Sequence, residues 1–457
     1  MNFLKSGVIF KLRILKTIIV SLFLLFSSFN IVVNSESNKN DYVKIIKNVP
    51  YNGQNESFYC NWACFTMVLR YYGINATLNE VLFNQGVGYS LSYFGSEYFR
   101  LPRSGHHISV DPYNYLFLSE IYGLSYTPFK YNYSSIEKWS VNWPKIKENV
   151  TKNIPVIVFV NELVLLSDYM KKKGTYPLKK FITKPANIGI HFVLVVGYNE
   201  TDNTICYNDP SYQIIDKPEI GTYRWTNIET FKLAHDTLPE WYDSQYYFQV
   251  LEKVKEPMTK EQAFIFAHNR NIEKLKGNRS AYFSYIRNIN WTFHSKYGIN
   301  ASQLLKTYYE GLEVNTTIKS YKLQSLLKGF IYDLFNPLYK FYSFFNFKEK
   351  TILDMIEARM INFFDHIAYD KKYTAEYLSN GQYLLNDKNL SNICKYEASL
   401  FCGEAENWTK LSKSYNEFLR KGFLISNYKA VNIINNMDKI MESIIELEDK
   451  IISSSLI

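Results

Sequence analysis

Residues 49 to 73 read Val-Pro-Tyr-Asn-Gly-Gln-Asn-Glu-Ser-Phe-Tyr-Cys-Asn-Trp-Ala-Cys-Phe-Thr-Met-Val-Leu-Arg-Tyr-Tyr-Gly. A polar loop carrying Gln54 leads into Cys60, apolar residues from Ala63 to Tyr72 recur at helical spacing, and Gly73 marks the stop. A thiol in the first turn of a helix faces the positive end of the macrodipole, which favours the nucleophilic thiolate. The amide of Gln54, six residues upstream, can fold back and donate to an oxyanion formed at the same place. Such a thiol also needs a base, and the base needs a group that orients it.

Both appear about 130 residues later. Ile188 to Tyr198 reads Ile-Gly-Ile-His-Phe-Val-Leu-Val-Val-Gly-Tyr, so His191 opens an apolar run rich in β-branched residues, which predicts a strand. Thr204-Ile-Cys-Tyr-Asn predicts a partner strand that ends in Asp209-Pro210, and the polar connection from Asn199 to Asn203 is of hairpin size. Antiparallel pairing of the two places His191, at the start of one, beside Asp209, at the end of the other.

The order Gln54, Cys60-helix-Tyr71-Tyr72-Gly73, His191-strand-Gly197-Tyr198, Asp209-Pro210 resembles the papain-like cysteine peptidase superfamily. It is similar to the peptidases that process bacteriocin leaders and to the N-terminal domain of butirosin biosynthesis protein H, an acyltransferase-type relative. Leu82-Phe-Asn-Gln-Gly-Val-Gly-Tyr89 is nearer the butirosin-type group, and Tyr59-Cys60-Asn61 stands where bacteriocin-type enzymes usually have Asp-Cys-Gly. The resemblance implies an α+β papain-like catalytic domain over residues 44–254, with an antiparallel sheet packed on the nucleophile helix. It implies Cys60 as nucleophile, His191 as base, Asp209 as the orienting acid and Gln54 as oxyanion donor. The expected activity is hydrolysis of a peptide or amide bond through an acyl-enzyme. The alternatives are acyl transfer of the butirosin type and a catalytically inactive binding module on the same fold. The expected partner is a peptide, amide or acyl-conjugate substrate.

The 457 residues allow two or three domains, and 47% apolar residues supply a sizeable core. The net charge of +9 is spread thinly, with no long Lys/Arg cluster and no nucleic-acid motif, so no nucleic-acid partner is expected. No zinc spacing, phosphate-cradling loop or dinucleotide fingerprint is present, and no metal or cofactor is expected. Lys5, Lys11, Arg13 and Lys16 precede an apolar run from Thr17 to Val33, and Val33-Asn34-Ser35 fits a small-residue cleavage pattern. This predicts a secretory signal peptide over residues 1–35, no transmembrane segment after its removal, and a protein secreted or held in the lumen of the secretory or lysosomal pathway. An uncleaved anchor is the alternative, although Ser27, Ser28 and Asn30 interrupt the run. Eleven Asn-X-Ser/Thr sequons support a glycoprotein, with Asn55 expected to be bare because a glycan there would crowd Gln54. Five cysteines in such a chain fit two disulfides, Cys394–Cys402 and Cys64–Cys206, with Cys60 free. Cys64, one helical turn after Cys60, reads equally as a small buried hydrophobe.

Helical stretches are expected near Leu78–Phe83, Tyr113–Tyr122 and Trp143–Thr151, and a buried strand over Ile154–Val160. The basic, Pro/Gly-punctuated segment from Leu163 to Asn187 reads as a lid over the site or as a surface insertion. After a linker at Lys253–Met258 strand signals vanish, and an all-α domain is expected over residues 259–457. Its helices fall near 260–275, 279–296, 301–311, 319–334, 349–367, 372–379 and 409–452. The last carries Ala430, Ile433, Met437, Ile440, Ile444, Leu447 and Ile451 at heptad-like spacing, which reads as packing within a helical bundle. The aromatic run Phe330–Phe347 reads as core of that domain or as a surface for lipid or an acyl chain. His106-His107 reads as an ordinary surface or hydrogen-bonding pair, with a substrate-pocket or a metal role as the alternatives, and His294 and His366 read as structural histidines.

Overall fold

Two unbroken apolar runs, Val156–Val160 and His191–Asn199, sit side by side in the middle of a seven-stranded antiparallel sheet. All five residues of the first and the first eight of the second are buried. Successive side chains of a strand point to opposite faces, so both faces of the sheet are covered here. This is why the runs show no polar alternation.

The computed structural model describes residues 42–54, 59–89, 91–96, 99–104, 112–130, 138–162, 164–165, 191–213, 218–236, 246–278, 296–297, 302–303, 349–421 and 427–454. The expected signal peptide, Asn55, His106-His107, His294, the Phe330–Phe347 run and nearly all of the segment from Leu163 to Asn187 lie outside them. So do the helices expected at 279–296 and 319–334, and all of 301–311 but Ser302 and Gln303.

In chain order the elements are β1 (Val43–Ile45), α1 (Cys60–Tyr71), α2 (Leu78–Gln85), β2 (Leu91–Ser96), β3 (Phe99–Ser104), α3 (Pro112–Tyr122), β4 (Leu124–Lys130), α4 (Lys138–Thr151), β5 (Val156–Val160), β6 (His191–Asn199), β7 (Thr204–Asn208), β8 (Arg224–Asn227), α5 (Ile228–Asp236), β9 (Tyr246–Lys253), α6 (Lys260–Leu275), β10 (Lys296–Tyr297), α7 (Glu349–Gly381), α8 (Lys388–Lys421) and α9 (Asn427–Ser454). The sheet order is β4-β9-β5-β6-β7-β8, and β1 also pairs with β6, over Gly197–Asn199 beyond the end of β5. The expected hairpin is β6–β7, paired from Leu194↔Asn208 to Asn199↔Thr204.

Helix α1 packs on β5 and β6, α4 on β1, β5, β6 and β9, and α5 on β5, β7 and β8. Every residue of α1 from Cys60 to Leu69 is buried. A helix enclosed on all sides sits inside the core rather than on its surface.

The C-terminal part is helical, as expected, and it shares the core. A capping box starts α6: the Thr259 hydroxyl accepts from the Gln262 N–H, and the Gln262 side chain accepts from the Thr259 N–H. Phe83 of α2 stacks on Phe264 of α6 and on Tyr377 of α7, with ring centroids 5.0 and 4.5 Å away. Gly88 has φ +86°, and a Cβ there would lie 2.0 Å from Thr374 Oγ1, so only glycine admits α7 this close. Residues Val43–Ile457 form one compact unit. Residue 255 marks a change of secondary structure rather than a break in the core, and β10 pairs with β2 across it, so the region is not wholly α.

Several expectations are corrected. The helices expected at 349–367 and 372–379 are the single helix α7, in which Asp370 and Lys371 are buried. The helix expected at 409–452 is divided between α8 and α9. Met437, Ile444 and Ile451, spaced by sevens on α9, are buried, and α9 packs on α8. All five cysteines are free, which overturns the expected disulfides. Cys394 and Cys402 lie on one straight helix, eight residues or about 12 Å apart along its axis, beyond the reach of a disulfide. Cys64 points at the Phe192 carbonyl instead, 3.5 Å away. Among the sequons, Asn407 is buried and its amide donates to Ser443 Oγ at 2.9 Å, which leaves no room for a glycan. No helix among the described residues is long and apolar enough to cross a membrane.

Candidate active site

The packing of α1 on β6 sets the nucleophile candidate and the base candidate on neighbouring elements. Cys64 Sγ donates to the Phe192 carbonyl, which fixes one turn of α1 against the start of β6. Cys60 lies four residues earlier on the same helix face, about 6 Å along the axis, and its charge acts on His191, the first residue of β6. Tyr59, in the cap position, provides no side-chain cap for α1. The unsatisfied N–H groups of the first turn therefore face the site without a competing side-chain oxygen from that position.

His191 Nε2 lies 2.8 Å from Asp209 Oδ1, the juxtaposition the hairpin predicts. Nδ1 is then the nitrogen left to exchange a proton with a thiol. Asp209 is held on every side. Its N–H donates to the Gly221 carbonyl at 2.8 Å, and its own carbonyl accepts from the Tyr51 hydroxyl at 2.9 Å. Gly221 permits this, since a Cβ there would lie 2.5 Å from that carbonyl and 2.6 Å from the Tyr51 hydroxyl. Asp209 Oδ1 also accepts the Ser211 N–H at 3.1 Å, an Asx turn with Pro210 in the middle. Arg224 Nη1 stands 3.5 Å from Asp209 Oδ2 and stacks over the Tyr212 ring at 4.2 Å.

Gln54 joins the same corner. Its N–H donates to the Pro210 carbonyl at 3.0 Å. Its side chain is buried, and its Oε1 has no hydrogen-bond partner among the described residues.

Three residues of the site escaped the sequence reading: Glu162, Ser211 and Arg224. Ser211 Oγ lies 2.9 Å from Glu162 Oε1, 2.9 Å from His191 Nε2 and 3.0 Å from Asp209 Oδ1. Ser211 carried a signal, since Asp-Pro-Ser is an Asx-turn sequence. Glu162 and Arg224 carried none. One lies just past the end of β5 and the other starts β8, and only the sheet order brings them together.

Burial and charge compete at each group. Burial works against a charged His191, but Glu162, then Asp209, then Cys60 outweigh it and raise its pKa well above the ordinary value. Burial would raise Asp209, yet the His191 charge and hydrogen bond, with Arg224 and the Ser211 N–H, bring it down to about 2. Glu162 is raised, because burial exceeds the pull of His191. Cys64 is pushed far up, by burial first and then by Cys60 and Asp209, and stays a thiol. His235 makes the contrast. It is buried, with Nδ1 donating to the Phe159 carbonyl at 3.1 Å and Nε2 accepting from Asn142 at 3.0 Å, an arrangement that suits a neutral ring. Among the described residues no group of three or more His, Cys, Asp or Glu side chains could hold a metal.

The sequence model of the Peptidase_C39 like family matches residues 46–233. The matched stretch contains Gln54, Cys60, Glu162, His191, Asp209, Ser211 and Arg224 and ends within α5. No curated protein matches the chain. The match bears out the resemblance to the papain-like cysteine peptidase superfamily and supports a cysteine peptidase-like enzyme.

Proposed function

We propose that this chain is a papain-like thiol hydrolase acting on a peptide or amide bond through Cys60, His191 and Asp209. The observation that carries the reading is the 2.8 Å contact between His191 Nε2 and Asp209 Oδ1, formed where the N-terminus of α1 packs against the start of β6. Cys60 Sγ attacks the acyl carbon and its proton passes to His191 Nδ1. The Cys60 N–H and the Gln54 amide donate to the oxyanion. The burial of Gln54, at the corner where its N–H donates to the Pro210 carbonyl, supports this role. Collapse of the tetrahedral intermediate breaks the C–N bond, and His191 returns the proton to the leaving amine. Water then cleaves the thioester, which gives the acid and restores the thiol. Asp209 holds the Nε2 proton throughout and stabilises the imidazolium.

The basic and apolar N-terminus supports a secretory setting for this reaction. A thiol-directed acyl probe should label the wild type and leave Cys60→Ala unlabelled. Equal labelling of both would end the proposal. Profiling peptides and lipid amides by mass spectrometry after incubation with each protein would identify the substrate. Amine added to the reaction should leave the acid as product, and its diversion to an amide would make the enzyme a transferase.

A further inference from the structure

The residue before Cys60 is anchored by the part of the chain that the family match does not reach. Tyr59 is 1% exposed, and its hydroxyl donates to Asp370 Oδ1 at 2.5 Å. Asp370 is itself buried, on α7. The Tyr59 ring meets Tyr373, one turn further along α7, edge to face at 6.0 Å. On the same stretch, Thr374 Oγ1 donates to the Val87 carbonyl at 2.7 Å, where Gly88 lets the helix in. The face of α7 bearing Asp370, Tyr373 and Thr374 thus grips both the start of α1 and the turn that ends α2.

Tyr59 also makes the first backbone bond of α1, its carbonyl accepting from the Ala63 N–H at 2.8 Å. On the other side of Cys60, Asn61 Oδ1 accepts from the Tyr115 hydroxyl of α3. Both neighbours of the thiol are therefore tied through buried tyrosine hydroxyls to other helices. With no side-chain cap from Tyr59, these two anchors add to the packing that orients the first turn of α1. Helix α7 is a firm support, because Lys371, next to Asp370, bonds Glu404 of α8 and lies 3.7 Å from Glu448 of α9.

We propose that Asp370 is a positioning residue for Cys60: through the Tyr59 hydroxyl it fixes the first turn of the nucleophile helix, which makes the helical region a working part of the active site. The proposal rests on the reading of Cys60 as nucleophile. A misplacement of about 1 Å at a reacting group costs on the order of 100-fold in rate, so a single anchor matters.

The test uses the full chain and iodoacetamide, with mass spectrometry reading the Cys60-containing peptide. Alkylation rates at about pH 5.5 and about pH 9 bracket the ordinary thiol range. In Tyr59→Phe and Asp370→Ala the ratio of the acid rate to the alkaline rate should fall about tenfold or more, because the thiol no longer meets His191 in register. Asp370→Asn, whose carboxamide oxygen still accepts the tyrosine O–H, should stay within about threefold of wild type. A merely structural contact would lower stability and leave this ratio unmoved. Tyr59→Phe keeps the ring against Tyr373, and it carries the test alone if Asp370→Ala fails to fold. A folded Tyr59→Phe protein with the wild-type ratio overturns the positioning role and leaves the nucleophile reading standing. A wild type with no acid-side reactivity overturns both.

Discussion

Asp209 and Glu404 are both buried carboxylates facing a cation, and burial ends differently for each. Asp209 meets His191, the Ser211 N–H and, at longer range, Arg224, and is held down at about 2. Glu404 shares the single ammonium of Lys371 with Glu448, and burial pushes it up to about 8. The number of donors converging on the carboxylate decides whether it remains an anion in a dry site. The cluster at the β6–β7 hairpin keeps its anion and can hold an imidazolium. The cluster among α7, α8 and α9 is satisfied best when one of its two acids is neutral. Reaction chemistry is expected at the first and a pH-dependent packing contribution at the second.

The largest expected effect is at the thiol. Cys60→Ala should abolish acyl-probe labelling, a loss on the order of 10⁴-fold or more, and leave the denaturation midpoint near wild type. Residual labelling at a comparable rate would move the chemistry to another residue. Next, Lys371→Met strips the cation that faces Glu404 and Glu448 among the described residues. Leaving buried acids without their counter-charge should destabilise by about 3–5 kcal/mol in urea denaturation. A shift well under that would mean the two acids find other partners and the contrast with Asp209 is false.

A smaller effect is expected at Ser211, whose hydroxyl links Glu162 to His191 and Asp209. Ser211→Ala should slow acyl-probe labelling about tenfold, the loss of one hydrogen bond to charged groups. Unchanged labelling would make Glu162 a bystander. The smallest is a matter of sign. The folded-state pKa of Glu404, about 8, lies above its ordinary value of 4.5. Its stabilising contribution is therefore full below pH 4.5 and is lost as pH rises towards 8. For Asp209 the order reverses, with a contribution present above pH 3.8 and lost as pH falls towards 2. Glu404→Gln should flatten the alkaline slope of stability and leave the acid slope in place. A variant that leaves the slope between pH 4.5 and 8 unchanged would show that the cluster of Lys371, Glu404 and Glu448 does not titrate in this range.

The parts of the site that the sequence made legible are those defined by short-range pattern. Cys60 opens a helix, and His191 and Asp209 sit at matched ends of a hairpin, so periodicity and a turn length were enough. Glu162, Ser211 and Arg224 come together only through the order β5-β6-β7-β8, which no local window contains. The same limit explains the errors in the helical region. The gap between the helices expected at 349–367 and 372–379 closes because α8 and α9 supply buried partners for Lys371. The spacing of eight from Cys394 to Cys402 reads as a loop closed by a disulfide until the helix stretches it out. Buried charge and long-range pairing are the features that composition and period do not encode.

The central claim is that Cys60 and His191 act as a pair, and the pH profile of Cys60 alkylation tests it most directly. In the wild type the rate should show a shoulder extending through neutral into acidic pH, because Glu162 and Asp209 favour a protonated His191 and the proposed pair needs that imidazolium. His191→Ala should remove that shoulder and leave a single transition near the ordinary thiol value of about 8.5. The same single transition in both proteins would contradict the account and leave the fold as a scaffold for binding rather than for catalysis.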